Sequence, residues 1–259
     1  FDTEQVNADL LPLGLVYSAG LGRSAKPHFF LGRLERRERR NGYTILISAD
    51  EYARDLTAPP GMTLNKTIFV RRESIRRMVW EQVEEWGWKR LDNPMGRAIA
   101  SYDFARDLPE ALEAMTADVL DIVLEHEVGE VIAGEVLGSD WEDMLATLPR
   151  SRLEFMARAI RDLLADCVST LPTLLERAHH PSLHFFIGHM NGMRKDLFPG
   201  LLAAYQRWVD GGDLAAMREI TARGRDHWMA AAQRLLGGYR ELGADDLSRL
   251  EGLLEQSRL

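Results

Sequence analysis

Asp121-Ile122-Val123-Leu124-Glu125-His126-Glu127-Val128-Gly129-Glu130-Val131-Ile132 is the stretch on which the reading of this chain turns. It sits inside a helical pattern that runs from Pro109, suited to a first turn, to Leu137, where Gly138 supplies a stop. At about 100° per residue, with His126 at zero, Glu130 falls at about 40° and Glu127 at about 100°. Val119, Ile122, Val123, Ala133 and Leu137 share the His126 stripe, and Leu124, Val128, Val131 and Ile132 make much of the remaining circumference apolar. Such a helix is predicted to be largely buried.

A carboxylate on a buried stripe is costly unless it is paired, protonated or bound to a cation. The i, i+4 spacing of His126 and Glu130 brings an imidazole and a carboxylate within common reach, as a hydrogen-bonded pair or as ligands of one metal. An arginine from elsewhere is the other way to neutralise Glu130. Glu127, beside the stripe, reads as a general base or a third ligand. Gly129 and Gly134 weaken the helix and, in a buried helix, serve close approach by another element.

Outward from this segment, residues 101–259 read as almost wholly helical. Ser139 caps a short helix through Leu148, and Ser151 with Glu154 forms a capping-box pattern. The helix that follows extends to about Arg177 with a kink at Pro172. Pro181 opens another helix, ending near Pro199, and helices follow at 200–209, 213–236 and 244–257. In the first region, Asn41-Gly42 is a turn before a strand at Tyr43–Ser48. Asp50–Leu56 reads as a short helix broken by Ala58-Pro59-Pro60-Gly61. Thr67–Val70 is a second strand, and Glu73–Trp86 a helix that Gly87 ends. The expected fold is mainly α: a helical bundle over 97–259, with a small N-terminal α+β appendage of one or two short strands over 1–96. The boundary is the turn-rich Asp92-Asn93-Pro94-Met95-Gly96.

Charge changes there too. Residues 1–100 hold 16 Lys and Arg against 13 Asp and Glu, a net of +3, whereas residues 101–259 hold 16 against 27, a net of −11. The overall charge of −8 argues against a general nucleic-acid binder or a protein drawn to anionic membranes. A 46% hydrophobic, 28% charged chain of 259 residues is globular rather than disordered or fibrous. The apolar run Leu10–Tyr17 follows Asp2, Glu4 and Asp9, the wrong sign for a signal peptide. No window has the roughly 18 apolar residues of a membrane span. The lone Cys167 excludes an intramolecular disulfide and sits in an apolar helical pattern, so a reducing cytoplasm is expected.

Two more residues are candidate ligands. His184 lies in a histidine-rich segment, on a face shared with Gly188, Asn191 and Lys195, where the glycine leaves room beside it. Asp166 follows Asp162 at i, i+4; Arg158 can pair with Asp162, and Asp166 has no such basic residue one turn before it. His126, Glu130, His184 and Asp166, with Glu127 as base, make a mixed nitrogen–oxygen set suited to iron, manganese or zinc. Over these few residues the segment resembles the Glu-x-x-His helices of ferritin-like carboxylate bundles. Here the order is His126-Glu127-x-x-Glu130 with no second copy, which argues against a two-metal site. It also resembles the His-Glu-x-x-His helix of zinc peptidases, but Glu130 stands where the second histidine belongs, which argues against a peptidase.

The function expected is therefore a cytoplasmic helical metalloprotein acting on a small molecule, through oxygen activation at iron or manganese or water activation at zinc. The competing expectation rests on Glu35-Arg36-Arg37-Glu38-Arg39-Arg40 and on Arg71, Arg72, Arg76 and Arg77, near Trp80 and Trp86. Arginine forks suit phosphate and carboxylate, so this region would make the protein a non-catalytic interaction module for an acidic partner or a phosphate-bearing ligand. The bland reading of the same charges is a solvated, ion-paired helix face. A helical pocket for haem or an apolar ligand is a third option, and the glycine- and aromatic-rich 182–200 segment would also serve a homo-oligomer interface. No phosphate loop, Rossmann fingerprint or Ser/His/Asp order is present.

Overall fold

A computed structural model of the protein describes residues 2–21, 27–57, 59–190, 192–243, 246–255 and 257–259. Ala58 in the expected break, Asn191 on the expected His184 face, and Ala244, Asp245 and Gln256 of the last expected helix lie outside the described residues. The chain forms two compact units. One comprises residues 1–91 and 99–127, the other 92–98 and 128–259.

The first unit is built on a sheet. Helix α1 (Thr3–Leu10) is capped by Asp2, whose carboxylate accepts the Gln5 N–H at 3.0 Å. A 3₁₀ turn at Leu11–Leu13 ends at Gly14, whose left-handed backbone (φ 73°) turns the chain into β1 (Leu15–Leu21). Strands β2 (Pro27–Arg40), β3 (Tyr43–Arg54), β4 (Gly61–Leu64) and β5 (Thr67–Arg71) complete a sheet of order β1-β2-β3-β5-β4. Only the β3–β5 pairing is parallel. Asn41 and Gly42, at φ 51° and 87°, make the two-residue turn between β2 and β3, with Arg40 opposite Tyr43. Positive φ at both positions matches the right-handed strand twist, which is why Asn-Gly marks this hairpin. Register shifts between Leu31 and Arg36 add bulges that curl the sheet.

This sheet overturns the expected appendage of one or two short strands. The N-terminal region carries five strands, and the molecule is not a simple helical bundle. Two misreadings account for most of the difference. The Glu35–Arg40 run lacks apolar alternation, yet it is the second half of β2, hydrogen-bonded to Tyr43–Ile47 of β3. Asp50–Arg54, read as helix, continues β3 opposite Gly32, Leu31 and Phe30. Backbone pairing with a distant strand decides both, and local propensity does not.

Residues Ile45 to Ala49 of β3 are buried without a break, so both faces of the strand are covered. On one face Val16, Phe30, Leu46 and Phe69 form a cluster joined by Leu11, Leu34, Met62 and Leu64. Helix α2 (Arg72–Lys89) packs on β3 and buries Ser74, Ile75 and Val79. At the outer strand β1, Asn7 of α1 donates from its amide to the Tyr17 carbonyl at 2.7 Å and accepts the Tyr17 N–H at 2.8 Å.

Two helices run through the boundary between the units: α3 (Pro94–Ala100) and α4 (Leu108–Leu137), the latter an unbroken 30-residue helix that passes from the first unit to the second after Glu127. The second unit continues with α5 (Ser139–Thr147), α6 (Arg152–Ala165), a π-helical turn at Asp166–Thr170, α7 (Leu171–Arg177), α8 (His180–His189), α9 (Gly192–Leu197), α10 (Pro199–Val209), α11 (Ala215–Leu242) and α12 (Leu247–Glu255). Ser151 caps α6 by accepting the Glu154 N–H at 3.3 Å, as its sequence pattern predicts. The expected kink position, Pro172, is the second residue of α7, directly after the wide π turn. Helix α11 is the spine of this unit and packs on α5, α6, α7, α10 and α12. Among the described residues no helix is long and apolar enough to cross a membrane.

Candidate metal centre

Gly129 fixes where α4 meets α6. A Cβ at this position would stand 2.3 Å from the Ala165 carbonyl oxygen, so only glycine admits the α6 backbone so close. One turn before Ala165, α6 presents Arg161 and Asp162 towards the next residue of α4, Glu130. The Arg161 guanidinium bonds Glu130 at 3.0 Å and also lies 3.6 Å from Asp162 and 3.7 Å from Glu142. One cation is thus shared among three carboxylates. His126 precedes Glu130 by one turn of the same helix. His126, Glu130 and Asp162 each offer one ligand atom, and these atoms all lie within 4.8 Å of one another. All three side chains are half-buried.

That arrangement brings together two of the sequence-predicted ligands, His126 and Glu130, with Asp162 as the third member. In the sequence, Arg158 at i−4 is the local partner expected for Asp162. Arg158 instead pairs with Glu154, one turn earlier on its own helix. The close-approach glycine was the usable signal: it sets Ala165 against Gly129 and so places the preceding turn of α6 beside Glu130. Gly134, the other glycine expected to admit a neighbour, faces open space.

The remaining predicted ligands sit elsewhere. Glu127 is buried and accepts the Thr63 hydroxyl at 2.9 Å, with the Gly61 backbone packed against its carboxylate. Asp166 is fully buried in the π turn, where it accepts from the Thr170 hydroxyl and from Arg194, each at 3.3 Å. The space beside Gly188 that was expected to serve His184 is filled by the Met95 backbone. His184 Nδ1 lies 2.9 Å from the Tyr205 hydroxyl, and its ring stacks on Trp208 with centroids 4.9 Å apart. His180, exposed at the start of α8, meets the same indole edge-on at 5.1 Å. Burial, and then the nearby Arg97 and His180 charges, hold the His184 pKa down at about 4. Burial pushes the Cys167 thiol up, with Asp166 adding to the effect, which leaves it a core residue rather than a nucleophile.

The four candidate anion-binding arginines divide. Arg71 is fully buried, bonds Glu51 at 2.8 Å and lies 4.4 Å above the Phe30 ring. Arg72 is held by Glu35 at 2.6 Å and Glu113 at 2.8 Å. Arg76 and Arg77 line a cavity on the exposed side of α2.

No curated protein and no solved structure shows detectable similarity to this chain. Two family models cover it on either side of the β5–α2 junction, an N-terminal domain over residues 1–71 and a C-terminal domain over residues 76–257. The chain belongs to the family they describe, the family of unknown function DUF6866.

Proposed function

We propose that this protein binds one divalent transition-metal ion, iron, manganese or zinc, through His126, Glu130 and Asp162. The observation that carries the reading is the convergence of one imidazole and two carboxylates within 4.8 Å. One nitrogen and two oxygens form a borderline-to-hard donor set, suited to these metals rather than to a thiolate-bound cluster. Three protein ligands leave coordination positions for water, oxygen or a small-molecule substrate, so such an ion would activate water for hydrolysis or oxygen for oxidation. Glu127, proposed from sequence as the base, is oriented by Thr63 and adds no ligand atom to this group. A reducing cytoplasm is the compartment proposed, supported by a sequence with a single, buried cysteine and so no intramolecular disulfide framework.

Arg161 supports a second reading, in which it replaces the ion and the four side chains form a structural charge network. Elemental analysis of protein purified without chelators, before and after incubation with each metal, separates the two. Near-stoichiometric metal that disappears in His126→Ala supports the metal centre. Metal absent under every condition, with His126→Ala changing only stability, assigns the network to structure.

A further inference from the structure

Two cavities in the first unit are large enough for small ligands, and their charges separate them. One, of about 380 Å³, lies between α1 and the sheet; the charged residues lining it are Glu4 and Arg37, which balance. The other, of about 390 Å³, is lined by Glu73, Arg76, Arg77 and Trp80 of α2 and by Leu108 and Leu112 at the start of α4. Residues 73, 76, 77 and 80 share one face of α2 by their three- and four-residue spacing. Glu73 is already engaged: one oxygen accepts the Glu51 N–H at 2.5 Å, and the other lies 3.4 Å from Arg77. Arg76 is exposed and forms no ion pair among the described residues. The lining therefore presents one uncommitted guanidinium and a second anchored beside it. Trp80 is half-buried one turn beyond Arg76, Leu112 is buried, and Leu108 is exposed at the rim.

We propose that this cavity binds an aromatic phosphate of mononucleotide size. The flat indole of Trp80 and the two leucines receive the ring, since aromatic stacking accepts any planar base. Arg76 and Arg77 receive the phosphate, whose charge approaches −2 at neutral pH. The site narrows the arginine-rich surface to two of its members and needs no metal at His126.

Calorimetric titration of the full chain with AMP, adenosine and inorganic phosphate tests this. AMP is expected to bind in the sub-millimolar range and at least about tenfold more tightly than adenosine or phosphate alone. Arg76→Ala should weaken AMP about tenfold and leave adenosine unchanged, and because Arg76 is exposed the variant should keep its circular dichroism spectrum and melting temperature. Trp80→Leu should weaken AMP and adenosine alike. His126→Ala should bind AMP as the parent does, which keeps this test separate from that of the metal centre. AMP binding no tighter than phosphate, AMP binding unaffected by Arg76→Ala, absence of binding at millimolar AMP, or binding of single-stranded RNA without AMP would each overturn the proposal.

Discussion

The Arg161 guanidinium bonds the Glu130 carboxylate at 3.0 Å, on the same side chain whose oxygen lies within 4.8 Å of donor atoms of His126 and Asp162. A metal ion bound at the proposed centre would share Glu130 with this cation. Removing the positive charge should strengthen metal binding: Arg161→Gln is expected to raise zinc affinity about tenfold, equivalent to about 1.4 kcal/mol. Competition titration with a chromophoric chelator measures it. If Arg161→Gln lowers thermal stability and neither protein takes up zinc, the charge network is structural.

The Gly129–Ala165 contact should be as sensitive to a single methyl as any position in the molecule. Backbone meets the added Cβ, and backbone cannot swing aside. Gly129→Ala is expected to cost about 1–3 kcal/mol, from overpacking, and to disperse the three ligand atoms. Gly134→Ala, facing open space, should gain up to about 1 kcal/mol of helix propensity. Urea denaturation of the two variants measures the contrast, and equal effects would refute the assigned crossing point.

Arg71 and Glu51 are a buried charge pair in the first unit, at side-chain exposures of 0% and 1%. Truncating Arg71 leaves the buried Glu51 carboxylate with only the longer Arg54 contact at 3.4 Å and the Ser74 hydroxyl at 3.0 Å, so Arg71→Ala is expected to destabilise by about 3 kcal/mol. Replacing both by methionine should recover much of that loss, because the desolvation cost then disappears from both sides. A double variant no more stable than Arg71→Ala would show that the pair stabilises the sheet beyond charge compensation.

His184 gives the protein an acid-side stability slope. Its pKa is held at about 4 in the folded chain, against 6.5 for an ordinary histidine. Between those values the unfolded chain binds the extra proton, so folding stability falls as pH drops through this window and is unaffected by this group above it. An NMR titration should find the His184 ring neutral at pH 5. His184→Gln should flatten the corresponding part of the stability–pH curve, and a ring that titrates near 6.5 would contradict the buried contact with Tyr205 and Trp208.

The sequence displays helices more readily than sheets here, for a physical reason. In α4 every intrahelical bond joins neighbours along the chain, so the stripe holding His126 and Glu130 is legible from spacing alone. The pairing of β2 with β3 begins at a legible Asn-Gly turn but continues through Glu35–Arg40, whose charges carry no strand period. The β3–β5 parallel pairing depends on a crossover that no local pattern announces. The same distinction governs the site. Asp162 joins Glu130 only because two helices cross at a glycine, and a same-helix arginine gave it a plausible local partner. The Arg71, Arg72, Arg76 and Arg77 series looks uniform in one dimension, whereas burial and nearby carboxylates divide it in three.

The Asn7 side chain, bonded to both the N–H and the carbonyl of Tyr17, has a consequence for self-association. Its carboxamide presents one donor and one acceptor to the outward edge of β1, as a neighbouring peptide group would. An incoming chain seeking to extend the sheet at that point finds the sticky groups already taken. Asn7→Leu would keep the bulk and strip this decoy from the border of the sheet. Light scattering should then reveal concentration-dependent aggregation that the parent protein does not show, with the local fold otherwise preserved.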